Sequence, residues 1–299
     1  MERQWSRRGF TKAAAIGLPA LSLHAAQAAP VRRLKVGHTG ITWGYRNDAV
    51  EQAIKDISSL GFEGFEPFGN VLEDWEAQGG MGRLLDEARL PLISAYCGAN
   101  LSDPAQRGAE VAKLVRWGKI IRKYGGTTVV IGPNFRGRDF DFAAAKPNIV
   151  AALNDMCKAL ADIGVIGVLH QHTGTTVELR DEVYGVLDAV DTRYVKFGPD
   201  IGQLAKGGSD PVQVVKDFLP IIRHAHLKDF DGGPHWAAYC PLGKGKVNVP
   251  AVLDLLETQQ ELKIVMVELD PSRNAPLTPV QTAETSKEYL KKLGYSFRS

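Results

Sequence analysis

Cysteine is scarce in this chain of 299 residues: Cys97, Cys157 and Cys240 stand apart, and no two form a C-x-x-C pair. Neither a disulfide-built scaffold nor a structural zinc site is therefore expected. Long apolar runs are missing as well. The most apolar early stretch, Ala13 to Leu23, is interrupted by Gly17 and Pro19 and falls well short of the roughly 20 residues that a bilayer-spanning helix needs. There is no Pro/Ser linker, low-complexity tract or obvious repeat. A basic surplus is lacking once the chain is read in parts. Residues 1–28 hold Arg3, Arg7, Arg8 and Lys12 against Glu2; without them, 36 basic and 34 acidic residues become 32 and 33, a net charge of −1. Nucleic acid or an anionic membrane would call for a basic face, so neither is an expected partner. What is present is ordinary. A composition of 44% hydrophobic and 23% charged residues describes a globular protein and excludes a disordered chain, a collagen or a coiled coil.

Ser6-Arg7-Arg8-Gly9-Phe10-Thr11-Lys12 precedes the apolar run, and Ala26-Gln27-Ala28 follows it. A charged start, a short apolar middle and a small-x-small end form a cleavable export signal. The arginine pair with Phe10 just beyond it resembles the twin-arginine signal, whose pathway carries folded proteins across the bacterial inner membrane. The expectation is a signal over residues 1–28, cleaved near Ala28, and a periplasmic domain over residues 29–299 without a membrane anchor.

From Leu34 onward, short apolar runs alternate with longer amphipathic ones. Strands are predicted at Leu34–His38, Gly64–Pro67, Leu92–Tyr96 and Thr127–Ile131, then at Gly164–His170, Tyr194–Phe197, Ile221–His226 and Ile264–Glu268. Between them, apolar residues recur at three- and four-residue spacing over Asp48–Leu60, Gln106–Tyr124, Ile149–Ile163, Leu179–Val190 and Val249–Glu257, and Pro279–Leu293 follows the last strand. That spacing predicts helices. Strands that read as buried on both faces and alternate with helices form a parallel sheet. Eight such units in one domain fit a closed α/β barrel, a single (β/α)₈ TIM barrel, better than an open sheet of five or six strands.

Polar residues gather at the predicted strand ends. His38, His170, His172, His224 and His226 lie at or just beyond them, and only His235 of the domain's six histidines does not. In a barrel those ends converge on one rim, where active sites form. A lone histidine is more often a packed residue than a ligand, but five on one rim form a cluster. Alternation along a strand lets both rings of His170-x-His172 and of His224-x-His226 face the same way. Strand six ends at Asp200, and strand eight at Glu268-Leu269-Asp270. Imidazoles and carboxylates from four strands suit one divalent first-row metal ion such as Mn²⁺, Co²⁺ or Zn²⁺, whereas Mg²⁺ prefers oxygen ligands alone. The bland alternative is a set of buried pairs, such as Lys228–Asp229, that only hold the rim together.

The motifs His170-Gln171-His172-Thr173-Gly174-Thr175, His226-Leu227-Lys228-Asp229, Pro241-Leu242-Gly243-Lys244-Gly245-Lys246-Val247 and Val267-Glu268 make the chain similar to the xylose isomerase-like TIM-barrel superfamily of sugar phosphate isomerases and epimerases. Within it the chain most resembles the inosose dehydratase branch. The resemblance implies metal ligands at Asp200, His226 and Glu268, with a fourth from strand five. His170 is assigned there and His172 to acid/base work, with the reverse left open. It also implies enediolate chemistry on a keto-sugar or keto-cyclitol: a base, His172 or Glu268, removes the proton next to the carbonyl, and Lys228 stabilises the oxyanion. Elimination or isomerisation can follow. Where relatives carry Thr-Gly-His after the strand-six aspartate, this chain has Ile201-Gly202-Gln203; Gln203 can bind a hydroxyl but cannot transfer a proton. The sugar epimerases this chain resembles work through two opposed metal-bound glutamates, and here only Glu268 occupies such a position, which weakens a reading as an epimerase.

Further substrate contacts are expected from His38 and Trp43 as an aromatic wall, from Glu66 at the end of strand two, and from Arg273 as a clamp. His235 and Trp236 are placed in a lid. The competing readings are a sugar isomerase or epimerase proper, a non-catalytic periplasmic sugar binder, and a nuclease, which the charge balance disfavours. The expected partner is a small carbohydrate or cyclitol, and homo-oligomerisation is left open.

Overall fold

The structure is a computed structural model that describes residues 32–299; the predicted export signal lies outside the described residues. Among the described residues ten strands are present: β1 (Lys35–Thr39), β2 (Phe65–Glu66), β3 (Ser94–Ala99), β4 (Thr128–Pro133), β5 (Ile166–Leu169), β6 (Val195–Phe197), β7 (His226–Leu227), β8 (Asp229–Phe230), β9 (Tyr239–Cys240) and β10 (Ile264–Val267). Eight are parallel and fall into the orders β2-β1-β10-β7 and β3-β4-β5-β6. Parallel bridges close both seams, Phe65–Leu92 and Phe68–Tyr96 on one side, Phe197–Ile222 and Asp200–His226 on the other. The sheet is thus the expected (β/α)₈ barrel. The antiparallel β8–β9 hairpin is an insertion after β7.

Ten helices accompany the strands: α1 (Asn47–Ser59), α2 (Gly69–Glu76), α3 (Gly82–Ala88), α4 (Arg107–Lys123), α5 (Phe142–Asp162), α6 (Arg180–Leu187), α7 (Ile201–Lys206), α8 (Pro211–Phe218), α9 (Val249–Thr258) and α10 (Pro279–Lys292). The six predicted helices are all found. The other four, α2, α3, α7 and α8, run to eight residues or fewer, too few for a 3.6-residue period to declare itself. Helix α5 begins seven residues before its predicted start at Ile149. Its N-cap Asp141 accepts from the Ala143 and Ala144 N–H groups, and Pro147 is carried inside the helix. None of the described helices is long and apolar enough to cross a membrane.

Register decides which side chains reach the barrel interior. Gly37, Met266 and His226 stand side by side, as do Thr39 and Glu66, and neighbours in a parallel ladder share a face. Alternate residues Val36, Phe65, Ala95, Val129, Leu169, Val195, Leu227 and Val265 point outward and are buried with the helices in one apolar core. Inside, glycines make room for large side chains. A Cβ at Gly132 would strike the Tyr96 ring, and one at Gly198 would meet Val168 and His224.

The seventh strand departs from expectation. Its predicted first residue, Ile221, belongs to a 3₁₀ turn, Leu219–Ile221, that contains Pro220. Ile222 opposes Phe197 whereas His226 opposes Asp200, so β7 takes four residue steps where β6 takes three. Such a bulge re-aims side chains beside a site.

The Pro241–Val247 motif has a structural explanation. Asp229, buried at the foot of the hairpin, accepts the N–H groups of Phe230 (2.9 Å), Gly243 (3.0 Å), Gly245 (2.9 Å) and Val247 (3.0 Å). Any Cβ at Gly245 would collide with that carboxylate. Asp229→Ala leaves several N–H groups without an acceptor. Since an unsatisfied buried donor costs about 1–3 kcal/mol, unfolding stability should fall by about 3 kcal/mol or more, measured by urea denaturation. A change below about 1 kcal/mol would show that the loop does not depend on this carboxylate.

Candidate active site

The rim is divided. Strands β5, β6, β7 and β10 carry the charged groups, and adjacent strands β1 to β4 carry mostly apolar ones. At the centre of the charged half lies His226. Its Nε2 faces Glu66 Oε1 at 2.7 Å, and its Nδ1 lies 3.0 Å from Glu268 Oε2. The first contact is a hydrogen bond and the second lacks hydrogen-bond geometry. With its proton on Nε2 and donated to Glu66, His226 turns a lone pair toward the rim.

Two further atoms meet it there. His170 Nδ1 donates to the Gly198 carbonyl at 3.1 Å, so its Nε2 is an acceptor, buried and unpartnered. Asp200 caps α7, accepting the Gly202 and Gln203 N–H groups through Oδ1 at 2.8 and 3.0 Å. That leaves Oδ2 without a hydrogen bond. His170, Asp200 and His226 offer ligand atoms within 4.8 Å of one another, and Glu268 borders the group through His226. Two ring nitrogens without a hydrogen bond and a carboxylate oxygen shared with the Lys228 ammonium, converging in a buried space, fit a divalent metal ion with mixed nitrogen and oxygen ligands.

Charge balance points the same way. Asp200, Glu268 and Asp270 face a single ammonium, Lys228, whose Nζ lies 3.1 Å from Asp200, 2.6 Å from Glu268 and 2.9 Å from Asp270. Burial opposes its charge, but the three carboxylates hold the Lys228 pKa well above the ordinary lysine value. Burial likewise opposes a proton on His226, yet Glu268 and Glu66 raise its pKa well above the usual imidazole range, so without a cation the ring holds a second proton at Nδ1, which a metal ion there would displace. His170 goes the other way: burial, with His226 adding to it, keeps the ring neutral, as a ligand must be. Burial raises the Asp200 pKa against the pull of Lys228. For Glu268 burial is outweighed by His226 and Lys228, and the carboxyl stays well below its ordinary value.

Beside this cluster opens a cavity of about 510 Å³, bordered by Glu268, Asp270, His172 and Thr39 and by residues of strands β1 to β4. His172 donates Nδ1–H to its neighbour Thr173 O at 2.8 Å, which leaves Nε2 as an acceptor.

A profile of the xylose isomerase-like TIM-barrel family matches residues 54–293. The chain belongs to that family. Among curated relatives, an inosose dehydratase of Clostridium botulinum is 24% identical, over 87% of this chain and 97% of its own length. Among solved structures, the 3-keto-D-glucoside 4-epimerase YcjR of E. coli matches with a TM-score of 0.69 at 16% identity, covering 87% of this chain and 99% of that one. The IOLI protein, solved with a zinc atom, matches with a TM-score of 0.71 at 16% identity, covering 87% and 98%. The family and fold read from the motifs are thereby borne out.

The structure brings His170, His172, Asp200, His226, Lys228 and Glu268 together on the charged half of the rim. Other expected contacts are corrected. His38 is one register step off the interior. Its ring packs edge-on against Trp43 and Phe62, and burial drops its pKa to about 4. Trp43 donates to Asp56 of α1 at 2.8 Å, and neither residue borders the cavity. Glu66 borders it, and its carboxylate is engaged by His226, by His224 at 2.9 Å and by the Ser94 hydroxyl, so it orients the imidazole. The Gln203 side-chain carbonyl accepts from Thr173 N, Thr173 Oγ1 and the Tyr239 hydroxyl; it ties the β5 loop to the hairpin. Arg273 is exposed and does not border the cavity. Lys228, expected as an oxyanion donor, directs its ammonium at three carboxylates and serves as their counter-ion. Trp236 packs with Tyr239 and Leu269, and neither it nor His235 borders the cavity. Asp270 joins the site unexpectedly, although the alternation from Glu268 puts both on one face.

Outer-shell carboxylates that fix a ligating imidazole commonly contribute 10- to 100-fold in metal affinity. Glu66→Gln should therefore weaken divalent-metal binding by about that factor in a chelator competition, with the far-UV circular dichroism retained. Unchanged affinity would remove Glu66 from the site.

Proposed function

We propose that the protein is a divalent-metal-dependent enzyme that removes the proton next to the carbonyl of a keto-sugar or keto-cyclitol, leading to elimination or isomerisation. The chain is an enzyme of the isomerase or lyase type, as its relatives are. What carries the reading is the convergence of His170, Asp200 and His226, whose ligand atoms lie within 4.8 Å of one another, at the edge of a cavity bordered by Glu268 and His172. His170, Asp200, His226 and Glu268 hold the metal in this reading. A divalent ion there supplies Lewis-acid stabilisation of the charge that develops on the carbonyl oxygen.

The chain's own residues do the rest. His172 faces the cavity with a free Nε2 and takes the proton from carbon. Lys228, in contact with Asp200, Glu268 and Asp270, fixes those carboxylates in place. If an oxygen substituent sits on the next carbon, the electron pair forms a C=C bond, that C–O bond breaks, and the leaving oxygen acquires a proton. Without such a leaving group, the proton returns to a different position and the sugar is isomerised. The inosose dehydratase and keto-glucoside epimerase names among the relatives support both outcomes. Arg7-Arg8 and the apolar run after them further support export to the periplasm, where the substrates would be oxidised sugars met before uptake.

A ligand and a base fail differently. His170→Ala should lose bound metal, measured by elemental analysis. His172→Ala should keep it, while solvent-deuterium incorporation next to the carbonyl, followed by NMR over a panel of keto-sugars, slows by about 10²- to 10⁴-fold. A metal-free His172→Ala protein would exchange the two roles. No deuterium incorporation by the metal-loaded parent protein in any keto-sugar would overturn the reading.

A further inference from the structure

The charged half of the rim accounts for the chemistry but for only part of the cavity. Strands β1 to β4 and the loops after them place Ile41, Tyr45, Phe68, Tyr96, Pro133 and Phe135 along its wall. A free sugar or cyclitol carries hydroxyls all round its ring and calls for convergent donors and acceptors. Besides the tyrosine hydroxyls this wall offers Thr39, Asn100 and Asn134, and both asparagine side chains are already bonded to the loop after β3. A volume of about 510 Å³ also lies in the range that encloses a drug-sized molecule, and not a monosaccharide alone.

Two observations mark the wall as built for a ligand. Tyr45 is 55% exposed and Phe135 79%, and these are two of the four large hydrophobic side chains left exposed among the described residues. Single exposed apolar residues need no explanation, but these two border the same concave space, continuous with Glu268 and His172. The Tyr45 ring is packed in place, and the backbone that carries Phe135 is fixed. The backbone of Phe135 bridges Thr175, and the next residue, Arg136, bonds the Gly174 carbonyl through its N–H at 3.0 Å, the Thr175 carbonyl at 2.6 Å and Glu182 at 2.6 Å. On the other wall, Tyr45 packs on Phe68 at 5.9 Å, Phe68 on Tyr96 at 5.6 Å, and Tyr96 on His170 at 5.6 Å. A line of rings thus leads from the mouth to the metal-ligand set. Pre-ordered aromatic surface binds without a large entropy loss.

We infer that the substrate is a keto-glycoside whose apolar, ring-bearing aglycone lies against Tyr45 and Phe135 while the oxidised sugar meets Glu268 and His172. This rests on the reaction proposed above and names its leaving group. Proton loss next to the carbonyl forms the C=C bond, the C–O bond to the aglycone breaks, and the aglycone departs as an alcohol or phenol carrying one proton. No oxidant is consumed, because the carbonyl is already present on arrival. The reaction that supplies this substrate is therefore oxidation of a glycoside's ring hydroxyl.

The test is calorimetric titration of the metal-loaded protein with phenyl and methyl β-D-glucoside, which lack the keto group and are not consumed. The phenyl compound should bind at least about tenfold more tightly, about 1.4 kcal/mol. Phe135→Ala and Tyr45→Ala, both changes at exposed positions, should each bring it close to the methyl compound. Equal affinities in the parent protein, no binding of either compound, or a preference that survives both substitutions would overturn the inference. So would a Phe135→Ala protein that keeps the preference but sediments as a monomer where the parent is a dimer, since the wall would then be an interface between copies. Deuterium exchange is scored separately. Exchange in keto-sugars without any phenyl preference removes the aglycone and leaves the chemistry standing, whereas absence of exchange in every keto-sugar removes the chemistry.

Discussion

Four carboxylates, Glu66, Asp200, Glu268 and Asp270, are gathered at one end of a barrel where water cannot solvate them freely, and one lysine ammonium stands among them. Uncompensated buried charge of one sign is among the costliest arrangements in a protein. Much of the rim's local structure answers that constraint. Asp200 rests one oxygen on the N-terminus of α7, Glu66 gathers two imidazoles and a hydroxyl, and Lys228 bridges Asp200, Glu268 and Asp270. What remains without a hydrogen bond is one atom each on His170, Asp200 and His226, close enough together to share a cation. The site is therefore defined as much by its unsatisfied acceptors as by the residues that line it.

The second organising feature is the division of the rim. Because sequential strands are neighbours in a (β/α)₈ barrel, a difference between the two halves of the sequence becomes a difference between two sides of one cavity. The half from β1 to β4 contributes rings and prolines; the half from β5 onward contributes imidazoles and carboxylates. Glu66 is the exception. It sits on the apolar side but reaches across the interior to His226, so the two halves meet through one hydrogen-bonded pair.

The barrel and the charged cluster were legible because both follow from simple periodicities. Eight apolar runs at regular spacing define the strands. The alternation in His170-x-His172 and in His224-His226-Lys228, every second residue, sends those side chains to one face. Residues beyond the strict strands were harder to place. His38 and Glu66 both end predicted strands, and only the register Thr39–Glu66 shows that the glutamate points in and the histidine out. Gln203 and Arg273 lie on a short helix and a loop, where no period fixes direction. Tyr45, Tyr96 and Phe135 look like ordinary core or surface aromatics in the sequence. Their shared role arises from the closure of β1 to β4, which composition does not reveal.

The central claim is that the unpartnered atoms form one metal centre, and anomalous diffraction from crystals soaked in Zn²⁺ tests it most directly. The account predicts a single strong peak on the charged half of the rim, at bonding distance, about 2.0–2.2 Å, from His170 Nε2, Asp200 Oδ2, His226 Nδ1 and a Glu268 oxygen. A map with no peak there, or with zinc bound only at surface histidines such as His235 while Lys228 still bridges the carboxylates, would contradict it.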